Sequence, residues 1–159
     1  MDAYSDYVVI DIETSGLDPQ KDEIIELSAL KIEKNTISER FYSLVKPTKI
    51  LTKDVEYLTG ITNDELTEKR PINDILPNFL NIVGDRPLVA HNIDFDIKFL
   101  NAALNKAGKQ PLENETIDTL KLVKNKYKLE NYTLQKLEKL LGVNCAQLIT
   151  FYVYETIKR

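Results

Sequence analysis

Val8-Val9-Ile10-Asp11-Ile12-Glu13-Thr14-Ser15-Gly16-Leu17-Asp18-Pro19 is the stretch on which the fold turns. The apolar, β-branched run from Tyr7 to Ile10 reads as a buried strand leading into two carboxylates one residue apart. A turn built on Gly16 and Pro19 follows. Strand side chains repeat every second residue, so Asp11 and Glu13 point the same way off the strand's end. At about 4 Å and an effective dielectric near 20, two such charges repel by roughly 4 kcal/mol. A chain that puts them beside a buried strand normally supplies a cation. Hard oxygen ligands favour Mg2+ or Mn2+. The plain alternative is a solvated strand end in which Asp11 caps the turn.

A length of 159 residues predicts one domain over 1–159, burying roughly 70% of its unfolded surface. With 43% hydrophobic and 29% charged residues, the composition is that of a soluble globular protein. Apolar segments all fall short of the ~20 residues a membrane span needs, and no basic-then-apolar leader precedes the first strand. A cytoplasmic protein with no membrane partner is expected. The single Cys145 excludes an internal disulfide, and one His with one Cys argues against a zinc site of soft ligands.

Net charge is −4, which disfavours coating nucleic acid by bulk electrostatics. The charge is divided unevenly, however. Residues 1–118 carry 13 basic and 22 acidic side chains, whereas 119–159 carry 8 basic and 3 acidic. Lys121, Lys124, Lys126, Lys128, Lys136 and Lys139 either supply a phosphate-facing patch or form a solvated helical face, the reading favoured by the pattern alone.

Further along, Glu23 to Ile32 partly alternates as a second strand, Asn35 turns the chain, and Thr36 to Val45 reads as the antiparallel third strand. Glu26, mid-strand, is either a neighbour of the acidic pair or a residue on the wet face. Thr62 or Asn63 caps a short helix through Leu66. Pro71 opens a helix with apolar positions Ile72, Ile75, Leu76, Phe79 and Ile82, in which Pro77 predicts a local irregularity. Arg86 to Ala90 is a short buried strand. His91-Asn92 then leads into a helix whose Phe95, Phe99 and Ala103 face the core. Asp96 lies in its first turn, just beyond a strand, where α/β folds hold ligands and a helix N-terminus favours negative charge. The structural alternatives are a capping carboxylate for Asp96 and a hydrogen-bonded turn residue for His91. Thr116 to Leu120 is a last short strand running into a helix capped by Asp118. Asn131 to Thr133 caps an amphipathic leucine helix stopped by Gly142. Strands and helices in this order predict an α/β fold, a mixed sheet with helices on its faces.

From Tyr7 to about Val143 the chain resembles the DnaQ-like DEDD exonucleases, which trim nucleic acid from the 3′ end. Two motifs carry the likeness, Val9 to Leu17 and Val89 to Leu100. Thr59-Gly60-Ile61-Thr62, Asp118-Thr119-Leu120 and Leu141-Gly142-Val143 support it. The resemblance implies a ribonuclease H-like mixed sheet, three antiparallel strands plus two parallel, flanked by helices. It also implies two Mg2+ or Mn2+ ions roughly 4 Å apart that bridge the scissile phosphate. Asp11 would be shared by both ions, Glu13 would bind the ion on the nucleophile side, and Asp96 the second. Thr14, Gly16 and Leu17 would hold the terminal nucleotide, with Leu17 against its base. Thr62, His91 and Asn92 would line the same pocket.

The family's third motif, a His followed five residues later by an Asp, should come after Gly142. This chain instead reads Cys145-Ala146-Gln147-Leu148-Ile149-Thr150-Phe151-Tyr152-Val153-Tyr154-Glu155-Thr156. The tyrosine-type variant of the motif does not fit either, its nearest approach being Phe151 with Glu155. Thr, Tyr and Phe replace neither an anionic ligand nor a base near neutral pH, and Glu155 is the only carboxylate after Glu138. Ile149 to Tyr154 is also rich in β-branched and aromatic residues where the family has a helix, a conflict that marks natural degeneration or a changed reading frame.

Two functions follow as expectations. The first is a metal-dependent 3′-to-5′ exonuclease of the proofreading type, acting on 3′ ends of single-stranded DNA or short RNA and weakened by its third motif. The second is a non-catalytic module of the same fold that binds a nucleic-acid end or a polymerase partner. Family members often pair as homodimers, although no dimer surface is legible in the sequence.

Overall fold

The computed structural model describes residues 6–34, 36–126, 128 and 132. The turn expected at Asn35, the leucine helix over 133–142 and the region of the third motif lie outside the described residues. β1 (Tyr7–Thr14), β2 (Ile24–Glu33) and β3 (Thr36–Leu44) form an antiparallel meander. β4 (Leu88–Ala90) pairs in parallel with β1, and β5 (Thr116–Asp118) in parallel with β4. The result is a five-stranded mixed sheet of order β3-β2-β1-β4-β5, flanked by helices, as the family resemblance implied.

β1 sits at the centre and its period-two alternation divides the molecule. Val8, Ile10 and Ile12 face the main core, packed with Ile75, Phe79 and Ile82 of α3 (Ile72–Val83) and Phe99 and Leu100 of α4 (Ile93–Lys106). Each such fully buried side chain contributes about 1.5–3 kcal/mol through removal from water. Tyr7 and Val9 pack on the opposite face with Ile32 and Val89, and Asp11 and Glu13 continue that row. The strand does not stop before the carboxylates. It carries both within its ladder, with a bulge only between Glu13 and Thr14.

Capping fixes the segment beside β3. α1 (Lys53–Thr59) starts at Thr52, whose side chain accepts from the Val55 N–H, and ends at Gly60 with φ +73°. α2 (Asn63–Leu66) starts in a capping box between Thr62 and Glu65. The irregularity expected at Pro77 is not found. α3 runs unbroken through it, with Pro77 on the exposed face, where the Asn73 carbonyl freed by the missing N–H need not be buried. Asp118 caps α5 (Thr119–Lys126) as expected, its Oδ1 accepting from the Leu120 N–H at 2.9 Å. The same oxygen accepts from the Asn92 N–H at 3.0 Å, which ties the start of α4 to the end of β5. Among the described residues no helix is long and apolar enough to cross a membrane.

Candidate active site

β1, β4 and β5 run parallel, so their C-terminal ends open at one edge of the sheet, the crevice where α/β folds place ligands. Asp11 and Glu13 stand near the end of β1, and Asp96 stands in the first turn of α4, directly after β4. Asp96 is only 5% exposed. Loss of water first, and the Asp11 charge second, push its carboxyl up to about 8, against the pull of the Asp96 and Ile12 N–H groups. Asp11 keeps a face open to solvent, yet surrounding protein removes much of its hydration, and with the Glu26 charge this raises its carboxyl to about 6. Glu13 is raised by desolvation and then by the charges of Asp11 and Glu26. The helix N-terminus expected to favour an ionised Asp96 is thus outweighed by burial and by its neighbours.

The two roles left open for Glu26 are resolved by register. Glu26 pairs directly across from Glu13, and the Tyr42 phenol donates to its Oε2 at 2.9 Å. Glu26 is therefore a fourth carboxylate of the cluster. Sequence alone missed Tyr42 because β3 register decides which of its residues share a face with Asp11. The alternation of Glu26 and Ser28 in β2 was the available signal.

The loop after β1 is built by its own side chains. Thr14 Oγ1 donates to the Gly16 carbonyl at 2.6 Å, and Ser15 Oγ accepts from the Glu23 N–H at 2.9 Å. A Cβ on Gly16 would overlap the Asp22 carboxylate, which accepts from the Asp18 N–H at 2.8 Å. Leu17 projects from this loop with 84% of its surface exposed. Thr62 lies in the capping box, its hydroxyl donating to Glu65 Oε2 at 2.8 Å. Glu65 is one of the charges acting on Tyr42, after the phenol's partial desolvation and its bond to Glu26.

His91 is held on both sides. Its Nε2 lies 3.0 Å from the Tyr132 carbonyl and its Nδ1 3.1 Å from Thr119 Oγ1. Burial holds the imidazole below its ordinary range, so the ring is neutral near pH 7. A carbonyl only accepts, so Nε2 donates to it and Nδ1 is left as an acceptor facing the Thr119 hydroxyl, which is also within donating distance of the Ala90 carbonyl at 3.2 Å. This is the hydrogen-bonded turn arrangement weighed against a ligand role. Asn92 adopts a left-handed backbone at φ +68° and its side chain is exposed. Of the lysines considered for phosphate contact, Lys121 pairs with Asp94 at 3.1 Å and Asp118 at 3.7 Å, and Lys124 lies 5.7 Å from the centre of the Tyr132 ring. Lys121 thus forms surface ion pairs with its side chain 64% exposed.

Three carboxylates with raised affinity for protons, oxygen-only and mutually repelling, have the donor chemistry of a hard divalent cation site. Among the described residues no group of three or more His, Cys, Asp or Glu side chains is drawn to metal-holding distance. Bound cations would have to gather these carboxylates.

The chain belongs to the exonuclease family, whose model (RNase_T) matches residues 8–147. It is similar to a PolC-type DNA polymerase III of Thermotoga maritima, 42% identical over 137 residues, which are 86% of this chain and 10% of that protein. It is also similar to the DNA polymerase III subunit epsilon of Aquifex aeolicus, 36% identical over 137 residues, 86% of this chain and 68% of that one. The chain thus spans about a tenth of the length of its PolC-type relatives. Among solved structures, free exonuclease I superposes with a TM-score of 0.84 at 18% identity, over 96% of this chain and 42% of that one. E. coli exonuclease I in complex with a dT13 oligonucleotide superposes at 0.80, also at 18% identity, over 96% and 40%. The fold is the ribonuclease H-like exonuclease fold, and the chain is a DnaQ-like exonuclease domain related to DNA polymerase III.

Proposed function

We propose that the chain is a metal-dependent 3′-to-5′ exonuclease of the proofreading type that hydrolyses phosphodiester bonds at 3′ ends of single-stranded DNA or short RNA. The observation that carries this reading is the placing of Asp11 and Glu13 of β1 and Asp96 of α4 at one sheet edge, each with its carboxyl raised. Asp11, Glu13 and Asp96 would hold the Mg2+ or Mn2+ ions, which supply activation of water and stabilisation of the leaving oxygen. Without cations the raised Asp96 carboxyl holds a proton near neutral pH, and a cation held there would displace it. The loop at Thr14 to Leu17 receives the terminal nucleotide, and the exposed Leu17 side chain meets its base. Thr62, through the start of α2, and Asn92, at the start of α4, frame the same edge.

The PolC-type and epsilon relatives support a polymerase as partner and a cytoplasmic setting. The sequence over 145–156, which lacks the family's His and Asp, supports a second reading, a non-catalytic module that keeps the fold and binds a nucleic-acid end or a polymerase. One assay separates them: degradation of a 5′-labelled single-stranded DNA oligonucleotide with Mg2+, with Mn2+ and with EDTA, beside Asp11→Ala. A ladder that shortens from the 3′ end and needs both metal and Asp11 is expected. Folded protein that yields no ladder above the Asp11→Ala control overturns the enzyme reading in favour of the module.

A further inference from the structure

We propose that Tyr42 is the platform against which a base near the 3′ end of the substrate stacks. The inference rests on the exonuclease reading and deepens it.

Register brings the ring to the carboxylates. Tyr42 pairs with Ser28, and Ser28 with Asp11, so the three form one row across β3, β2 and β1 on one face of the sheet. Adjacent strands lie about 4.8 Å apart, which sets the Tyr42 backbone about 10 Å from that of Asp11. Only a serine stands between them in this row. With the scissile phosphate at Asp11, the ring is within reach of the last two nucleotides.

The ring is both open and fixed. Tyr42 is 64% exposed, unusual for so large a side chain, yet its hydroxyl is anchored on Glu26. A tethered aromatic loses little freedom when a base stacks on it.

Charge around the ring calls for a contact of this kind. Asp11, Glu13, Glu26 and Glu65 all lie on its side of the site, and Lys121 is paired with Asp94 and Asp118. In such surroundings bound cations and uncharged surfaces both add to affinity for a polyanion. Base–aromatic stacking is uncharged and tolerant of sequence. It uses the π-face that every base carries. Tyr57 is more exposed still, but it lies in α1, outside this row of the sheet.

The test measures equilibrium binding, by fluorescence anisotropy in Mg2+, of a 5′-labelled oligothymidylate whose 3′ linkages are phosphorothioates that resist cleavage. A matched oligonucleotide with abasic residues at its last two 3′ positions is the second probe. Tyr42→Ala is expected to weaken binding of the first probe about 5- to 100-fold. It should leave the abasic probe within about twofold of the unmodified chain, and Tyr42→Phe, which keeps the ring, should bind both like the unmodified chain. The inference is overturned if Tyr42→Ala, folded by circular dichroism, matches the unmodified chain on oligothymidylate or loses equally on both probes. Should the unmodified chain bind neither probe and degrade no oligonucleotide, the exonuclease reading falls with it; if it degrades oligonucleotide while Tyr42→Ala binds unchanged, only the role of Tyr42 is lost.

Discussion

Replacing Asp96 by Asn should make the metal-free protein more stable above neutral pH. The Asp96 carboxyl titrates at about 8 in the fold against an ordinary 3.8, because burial and the Asp11 charge oppose its ionisation. Between those values the native state keeps a proton that the unfolded chain releases. Stability linked to this group is therefore complete below about pH 4 and is lost as pH rises through about 8. A span of about 4 pH units at about 1.4 kcal/mol each sets a ceiling near 5–6 kcal/mol. Counter-ions reaching the open face of Asp11 screen part of the repulsion, and about 2–3 kcal/mol is expected to survive. For a chain of this length that corresponds to about 5–10 °C in the unfolding midpoint. Asn is neutral at every pH and keeps an oxygen for the Ile12 N–H. Thermal unfolding followed by circular dichroism in EDTA at pH 4, 7 and 9 should show the two proteins nearly alike at the lowest pH and the variant ahead at the highest. Mg2+ at ten times its dissociation constant should then raise the unmodified protein by roughly 1.4 kcal/mol at pH 8, and the variant by much less. Midpoints of the two proteins that run parallel across this pH range would refute the account of Asp96.

Thr62→Ala removes the side chain that accepts from the Glu65 N–H, and loss of this cap should cost about 1 kcal/mol, or about 2–4 °C in a thermal melt, with Thr62→Ser restoring it. Leu17→Ala should leave the melt within about 0.5 kcal/mol of the original, since the side chain is 84% exposed. Steady-state cleavage of an oligonucleotide should nevertheless show a several-fold higher KM, and an unchanged KM would remove Leu17 from the terminal-base contact.

What was legible in the sequence was whatever depends on neighbours along the chain. The period-two run through Ile10, Ile12 and the two carboxylates announced β1 and its two faces, and Thr62 or Asn63 ahead of Leu66 announced the start of α2. Asp96 was legible for the same reason, as an acid in a first helical turn after a short strand. Its raised carboxyl was not, because that value arises from Asp11 on another element and from burial that no local pattern encodes. Glu26 stayed ambiguous and Tyr42 went unnoticed because antiparallel register is a long-range property: one residue of slip would have put both on the other face. Likewise, the partners of His91 are Thr119 and the Tyr132 carbonyl, 28 and 41 residues away, beyond any periodicity. The phosphate role considered for Lys121 required knowing that Asp94 and Asp118 lie beside it.

The order in which these strands meet also bears on folding kinetics. β1, β2 and β3 are joined by short connections, so Asp11, Glu13 and Glu26 can assemble within a local hairpin framework. The β1–β4 pair, in contrast, joins Val8 to Leu88 across eighty residues, a late and slow event by loop-closure entropy. Asp96 arrives only with that pairing. Anything that binds the completed edge therefore meets a surface missing from early folding states, and its stabilisation should appear as slower unfolding, with the folding rate nearly untouched.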